Sequence, residues 1–148
     1  MTINKEKQQK AVLWQPKKGD CYYYIDDCGK AAFDKWHNDY IDRFRYAQNN
    51  SYRTIKEAGE YLNNLNIKGE LRLLAEELNN GEVIDWDDWM QPKYYIGYQS
   101  FPDNILSIFY VLTIKCQSVI YCLNENFLDE AKKRIGEDRL IKMIKSGV

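Results

Sequence analysis

The feature that most constrains the fold is a junction between an extended aromatic segment and a helix, at residues 52–62. Thr54 is suited to cap a helix, and Glu57 stands three residues later, as in a capping box. Behind the cap, Ile55 and Ala58 begin a stripe of apolar residues at helical spacing. The stretch therefore predicts a helix that begins at Thr54, directly after strand-like sequence.

A weaker copy of this junction lies near the C-terminus. There, residues 119–123 have the character of a strand and lead into a helical pattern that begins after Asn126. Asparagine is a favoured helix cap, so we predict a helix from Asn126 to about residue 135. Gly136 then ends this helix, and a final short helix is predicted over residues 137–145.

The segments before each junction show the alternation and the turn residues of antiparallel strands. In the first part of the chain we predict strands over 21–25, 30–36 and 41–47, then helices over 54–66 and 68–79. In the second part we predict strands over 93–98, 105–116 and 119–123. Runs of strands followed by runs of helices indicate an α+β fold rather than a parallel sheet with crossovers.

The chain thus predicts an α+β fold of two related halves, each with antiparallel strands followed by one or two helices. The sequence at 22–25 matches that at 94–96, and the Glu-Ala pair at 57–58 recurs at 130–131, as expected of an internal duplication. The predicted organisation is a flexible arm over 1–12, a first half over 13–81, an acidic aromatic linker over 82–92, and a second half over 93–148 that packs with the first as one compact unit.

Charge and hydropathy narrow the functional classes. The 21 basic and 22 acidic residues nearly cancel, so no overall field draws the chain to nucleic acid or to an anionic membrane. No stretch reaches the roughly 18 apolar residues of a membrane span. The first ten residues lack the apolar region of a signal peptide. We therefore expect a cytoplasmic protein without a membrane partner.

Neither a metal site nor a catalytic set is predicted. Cys21, Cys28, Cys116 and Cys122 form no Cys-x-x-Cys pair, so we expect reduced thiols and no zinc. A serine or cysteine nucleophile needs a nearby base, and His37, the single histidine, lies in a predicted turn. No nucleophile elbow, Walker loop or dinucleotide-binding glycine motif occurs. We therefore expect no catalytic residue, no metal, no cofactor and no enzymatic activity.

The first candidate binding surface is the acidic aromatic linker. In it, carboxylates and indoles alternate: Asp85, Trp86, Asp87, Asp88 and Trp89. Tryptophan is a common anchor at interfaces, and acidic groups around it suit a basic partner protein. Two alternatives stay open, namely that the carboxylates serve only in turns and that the indoles are buried between the halves.

The second candidate surface is basic and aromatic. Arg43, Arg45 and Arg53 cluster around the predicted third strand, together with Tyr46. If Arg43 and Arg45 share one face of a sheet, they form a basic strip beside tyrosine rings. Such faces stack the bases of single-stranded nucleic acid.

Three motifs carry a resemblance to a known group of proteins. They are the Trp-x-Pro-x-x-Gly-x-x-Tyr-Tyr start at 14–23, the junction at 49–58 and the Lys-Tyr-Tyr-Ile stretch at 93–96. In this order they resemble small phage and prophage accessory proteins of Firmicutes-type bacteria. The junction of that group reads Gly-Asn-x-Phe-x-Thr-x-Glu-Glu-Ala, and here Asn49, Tyr52 and Lys56 replace its Gly, Phe and first Glu. The resemblance covers most of the chain and implies a phage-derived protein in the cytoplasm of a bacterial host.

These observations predict a non-catalytic binding protein whose partner is a host or phage protein. The most concrete version is an inhibitor of a bacterial defence system, for example a CRISPR nuclease, that acts by occupying a protein surface. Proteins that block nucleic-acid enzymes often present acidic surfaces to basic channels. The competing prediction is a phage regulator that binds nucleic acid through the basic aromatic face.

Overall fold

Two small antiparallel sheets and four helices make up residues 14–147, so the predicted α+β class is confirmed. The computed structural model describes this part of the chain, and the arm predicted over 1–12 lies outside the described residues. The elements are β1 (Cys21–Ile25), β2 (Ala31–Lys35), α1 (Tyr40–Ala47), α2 (Ile55–Asn79), β3 (Lys93–Gln99), β4 (Ile105–Val111), α3 (Phe127–Arg134) and α4 (Glu137–Ser146).

Strands followed by helices occur twice, as the sequence predicts, but each copy has two strands and two helices where three strands were expected. The chain also divides into two compact units, with the boundary along the chain between Gly59 and Glu60 of α2. The predicted linker over 82–92 is a different kind of boundary, because it separates the two copies of the strand-then-helix order. The first unit contains the β1–β2 hairpin and α1, and the second contains the β3–β4 hairpin, α3 and α4.

The segment before α2 is bound to the first hairpin. Tyr23 of β1 and Tyr52 exchange both of their backbone hydrogen bonds, with N···O distances of 2.9 and 2.8 Å. The side-chain amide of Asn50 continues this pairing, because it accepts from the amide of Ile25 at 2.7 Å and donates to its carbonyl at 2.8 Å. An asparagine amide thus takes the place of one peptide group at the edge of β1.

The predicted cap of α2 is confirmed. The helix begins at Ile55, the amide of Glu57 donates to Thr54 Oγ1 at 3.2 Å, and the amide of Thr54 donates to Glu57 Oε2 at 3.3 Å. Asn49, in the loop before this cap, has a φ of 57°. Asparagine and glycine adopt this left-handed conformation most readily.

The prediction of two helices over 54–79 is wrong, because α2 continues without a break to Asn79. From Asn64 onward its buried side chains lie on one face at helical spacing: Asn64, Ile67, Leu71, Leu74 and Ala75. The helix continues through Asn63, Asn64 and Asn66, where the sequence predicted its end. Burial of the apolar face outweighs the low helix propensity of asparagine.

The predicted third strand over 41–47 is also wrong, because this segment is the helix α1. Asp39 Oδ1 accepts from the amide of Asp42 at 2.9 Å, and Asp42 Oδ2 accepts from the amide of Asp39 at 3.3 Å, which is a reciprocal capping box. In a helix, residues two apart lie about 200° apart around the axis. Arg43 and Arg45 therefore do not share a face.

The predicted strand over 119–123 is reduced to a single bridge. Tyr94 of β3 and Cys122 exchange backbone hydrogen bonds at 2.7 and 2.8 Å. The next amide, that of Leu123, points away from β3 and donates to Asn79 Oδ1 at 2.7 Å. The next ladder bond beyond the bridge would need an amide hydrogen at residue 92, which is a proline, and the strand prediction is wrong beyond one residue.

The strand predicted over 105–116 is shorter than expected and ends at Val111. Val111 pairs with Lys93, the first residue of β3. The carbonyl of Leu112 accepts from the ammonium of Lys93 at 2.7 Å, and the chain leaves the sheet there.

Helices α3 and α4 lie where they are predicted. α3 begins at Phe127, directly after Asn126, although the Asn126 side chain makes no capping hydrogen bond. α4 begins after Gly136, whose φ is 97°. These helices complete the core of the second unit, which consists of Ile67, Leu71, Leu74, Ala75, Ile96, Leu106, Cys122, Phe127, Ala131, Ile135, Leu140 and Met143.

Both hairpins have the same strand order. In each, the first strand lies between its hairpin partner and a bridge residue that shortly precedes a helix. The bridging residues Tyr23 and Tyr94 are equivalent in the matched Tyr-Tyr-Ile stretches. Ala58 and Ala131, which are equivalent in the matched Glu-Ala pairs, are both fully buried. The structural parallel thus extends to individual residues.

Gly97 of β3 leaves room for the ring of Phe109, since a Cβ atom there would lie 2.8 Å from Phe109 Cε2. That ring stacks on Tyr95 with centroids 5.5 Å apart. We expect Gly97→Ala to lower the free energy of unfolding by about 1–3 kcal/mol, because the ring must leave its stack or strain the strand. Urea denaturation measures this loss.

The control is Gly69→Ala, since a Cβ atom at Gly69 in α2 meets open space. Alanine there is expected to raise the stability by roughly 0.5–1 kcal/mol, as in other helix interiors. In the Phe109→Ala background the cost of Gly97→Ala should disappear. An undiminished cost in that background would contradict the proposed contact.

Candidate functional site

Residues 82–92 form an ordered loop between α2 and β3, which we call the acidic loop. Gln91 closes it, because its side-chain oxygen accepts from the amide of Asp85 at 2.8 Å and its nitrogen donates to the carbonyl of Val83 at 3.2 Å. The two ends of the loop are therefore held together by one side chain.

Two carboxylates of the acidic loop shape its backbone. Asp85 Oδ1 accepts from the amide of Asp87 at 2.9 Å, and Asp88 Oδ1 accepts from the amide of Met90 at 2.8 Å. These are local turns of the kind that aspartate favours. The alternative expectation of turn carboxylates thus holds for Asp85 and Asp88, each of which keeps a second oxygen for other contacts.

A fully buried lysine anchors the end of the acidic loop. The Lys93 ammonium donates to the carbonyls of Asp88 and Leu112, each at 2.7 Å, and lies 5.6 Å from the centre of the Trp86 ring. Burying a cation is costly unless its donors are satisfied. The position of the loop relative to the end of β4 is therefore strongly specified.

The two tryptophans of the acidic loop differ in their surroundings. Trp86 is half-buried, and its ring meets Tyr121 edge-on with centroids 4.9 Å apart, while the Lys115 ammonium lies 5.5 Å from its centre. Trp89, in contrast, is 65% exposed. Trp86 therefore packs inside the second unit, whereas Trp89 is available to a partner.

Trp89 belongs to an exposed apolar group on the acidic loop. Val83 is 80% exposed and Met90 is 71% exposed. The same loop contains four carboxylates and no lysine or arginine: Glu82, Asp85, Asp87 and Asp88. The loop therefore presents apolar side chains in a strongly acidic setting.

A row of aromatic rings runs from the acidic loop along the outer face of the β3–β4 hairpin. It begins with the contact between Trp86 and Tyr121, continues to Tyr95 at 5.7 Å and ends at Phe109. Sequence reasoning missed this row. The register that places Tyr95 opposite Phe109 is the signal for one of its contacts, but Tyr121 joins it only through the fold.

In the first unit, a buried hydrogen-bond network connects α1 to the hairpin. The hydroxyl of Tyr22 donates to Asp42 Oδ1 at 2.8 Å, and Arg45 donates to that hydroxyl at 2.7 Å and to Asp34 Oδ2 at 2.9 Å. The Arg45 guanidinium also lies 3.5 Å from the centre of the Tyr24 ring. This network was not predicted, because α1 was expected to be a strand.

The network shifts the ionisation of two of its members. Burial, together with the hydrogen bond to Asp42, raises the pKa of Tyr22 to about 12, against the opposing effect of Arg45. Burial also acts against ionisation of Asp42, but hydrogen bonds from Tyr22 and from the backbone amides of His37 and Asp39 outweigh it and hold the pKa of that carboxyl below its usual value. Asp42 is thus a buried carboxylate and Tyr22 a buried neutral phenol.

The residues expected to bind nucleic acid are dispersed. Arg45 is engaged in the buried network, and Tyr46 packs edge-on against Trp36 with centroids 6.2 Å apart. Arg43 is exposed and donates to the carbonyl of Asn38 at 3.0 Å. Arg53 lines a separate cavity of the first unit.

Among residues 14–147, no group of three or more His, Cys, Asp and Glu side chains is arranged to hold a metal ion. Cys21, Cys28 and Cys116 are exposed free thiols. Cys122 is buried, its thiol lies 3.3 Å from Asn79 Oδ1, and burial raises its pKa. The helices of this same part of the chain are too short or too polar to span a bilayer.

Comparison of the chain with protein-family models, with curated proteins and with solved structures finds no significant match.

Tyr22→Phe tests the buried network. Removing the hydroxyl leaves Asp42 and Arg45 without a shared partner, so we expect a loss of about 1–3 kcal/mol in the free energy of unfolding at neutral pH. The matched control is Tyr24→Phe, which keeps the ring under the Arg45 guanidinium and is expected to be near neutral. Equal losses in the two variants would contradict this account.

The same network predicts that the stability of the fold depends on pH. Because the folded pKa of Tyr22 exceeds its ordinary value of 10, stability should fall as pH rises from about 10 to 12. Because the folded pKa of Asp42 is depressed, its contribution should be lost as pH falls through the ordinary carboxyl range. Tyrosinate absorbance should show a late-titrating tyrosine that is absent in Tyr22→Phe.

Proposed function

We propose that this protein is a non-catalytic binding protein that docks its acidic loop on a basic surface of a partner protein. The observation that carries the proposal is the ordered exposure of Trp89 and Met90 among four carboxylates. A rigid exposed aromatic side chain is the common anchor of an interface, and its burial supplies most of the binding free energy.

The acidic loop is well suited to such a role because its conformation is set before binding. Gln91 closes the loop, Asp85 and Asp88 hold its turns, and Lys93 fixes its end. A preformed loop loses little conformational entropy when it docks. The partner surface that fits it has an apolar pocket for Trp89 and cations around that pocket.

The most concrete version of the proposal is inhibition of a bacterial defence nuclease, such as a CRISPR nuclease, in a phage-infected cell. The resemblance of the motifs to phage accessory proteins supports this context. Nucleic-acid enzymes expose basic channels, and an acidic loop with apolar anchors can occupy such a channel in place of the substrate. Inhibition then requires binding alone.

Trp89→Ala tests the anchor. We expect partner affinity to fall about thirtyfold to several hundredfold, which corresponds to roughly 2–4 kcal/mol at an interface hot spot. The measurement is surface plasmon resonance against a partner isolated by affinity capture from a bacterial lysate. Phe101→Ala is the control, because Phe101 is 84% exposed and lies outside the acidic loop. Unchanged affinity of the folded Trp89→Ala variant would remove the loop from the functional account.

The charge of the acidic loop should act mainly on the association rate. Asp87→Lys with Glu82→Lys reverses two charges but spares the turn carboxylates Asp85 and Asp88. We expect slower association with the partner and a smaller effect at high salt, because screening weakens long-range attraction. A reduced rate that does not depend on salt would contradict the electrostatic part of the proposal.

The control for this variant is Asp27→Lys with Asp103→Lys, which makes the same change in net charge at exposed positions outside the acidic loop.

Nuclease inhibition is tested separately, by cleavage assays with purified CRISPR nucleases and their target DNA. Nuclease inhibition would be rejected if cleavage continues at a saturating concentration of this protein. The binding role would still stand if Trp89→Ala weakens binding to the captured partner.

A further inference from the structure

A second candidate site lies in the first unit and has the opposite character to the acidic loop. It is a cavity of about 780 Å³, here called the basic cleft, and its lining residues are Trp14, Gln15, Pro16, Lys17, Lys18, Trp36, His37, Asn38 and Arg53. The volume is within the roughly 300–1,000 Å³ typical of small-molecule sites. Of its residues, only Arg53 was among the predicted site residues.

The side chains that line the basic cleft include three cations and no carboxylate. Lys17, Lys18 and Arg53 are all exposed and come from two separate segments of the chain. A cleft whose described lining gathers like charges attracts an anion. Its ligand should therefore carry at least one phosphate or comparable negative group, which arginine and lysine both bind well.

The carboxylates that adjoin the basic cleft in sequence are engaged with the backbone of the same residues. Asp20 accepts from the amide of Lys17 at 2.8 Å, and Glu57 accepts from the amide of Arg53 at 2.9 Å. These bonds hold the two segments in place. Because both bonds are made by backbone amides, they do not involve the ammonium group of Lys17 or the guanidinium group of Arg53.

The basic cleft also has an aromatic lining. Trp36 is only 4% exposed, and its ring is held by edge contacts to Tyr22 at 5.6 Å and to Tyr46 at 6.2 Å. Trp14 is half-buried and lines the same cavity. Indole rings beside cations are the combination that stacks a nucleobase while its phosphate is bound.

We propose that the basic cleft binds a nucleotide unit, with its phosphate on Lys17, Lys18 and Arg53 and its base against Trp14. The unit comes either from a free nucleotide or from a single strand of nucleic acid, since both present the same base and phosphate. This site uses neither α1 nor a sheet face, and so it differs from the nucleic-acid surface predicted from sequence. It is also independent of the function proposed for the acidic loop.

The test is fluorescence anisotropy of the full chain with a labelled single-stranded oligothymidylate and an oligouridylate, with ATP as a competitor. In wild type we expect saturable binding that weakens with salt. Trp14→Ala should weaken binding about fivefold to 150-fold through lost stacking. In a plot of the logarithm of the association constant against the logarithm of the salt concentration, Lys17→Ala with Lys18→Ala should make the slope less steep by about 1.4.

The control is Lys30→Ala with Lys35→Ala, which removes two exposed charges of the same unit outside the basic cleft. Complete competition by ATP assigns the site to free nucleotides, and binding of the oligonucleotides alone assigns it to single strands. Three results would overturn the proposal: no binding of any probe at low salt, an equal loss in the control variant, or tight binding of polyglutamate that Trp14→Ala leaves unchanged.

Discussion

The whole structure depends on one backbone constraint that occurs twice. In each hairpin the first strand is bridged by a residue that comes just before a helix, Tyr52 in one case and Cys122 in the other. A two-stranded hairpin is at best marginally stable in water by itself. In each copy the bridge supplies a third backbone partner for the first strand of the hairpin.

The two candidate surfaces both lie just before the first strand of a hairpin. The acidic loop and the loop at 14–20 each precede the first strand of a hairpin, and a Gln-Pro-Lys tripeptide occurs near each, at 91–93 and at 15–17, although the two lysines lie at different distances from the bridging tyrosines Tyr94 and Tyr23. In the second copy the lysine is buried and anchors a loop rich in carboxylates, whereas in the first copy Lys17 is exposed and lines a basic cleft. A nearly neutral chain thus carries an acidic and a basic surface ahead of its two hairpins.

The two wrong strand predictions, over 41–47 and over 119–123, have different physical causes. Alternation of side chains over 41–47 suggested a strand, but Asp39 and Asp42 have the same three-residue spacing as Thr54 and Glu57 and form the same capping box. The alternation was therefore weaker evidence than the cap. The strand over 119–123 failed for a different reason, because Pro92, far away in the chain, has no amide hydrogen to continue the ladder beyond the bridge between Tyr94 and Cys122. No local pattern contains that contact.

The sequence by itself determined the α+β class, the helix starts at Thr54 and Asn126, and the acidic aromatic segment. Caps, turns and strand alternation depend on neighbours within a few residues, so they can be read from the chain. Only the tertiary structure decided which tryptophan is available, since Trp86 is covered by Tyr121 and Trp89 is not. It also decided that Arg45 serves a buried network while Arg53 lines a cleft. Burial and charge pairing depend on partners far away in the chain, which no local pattern specifies.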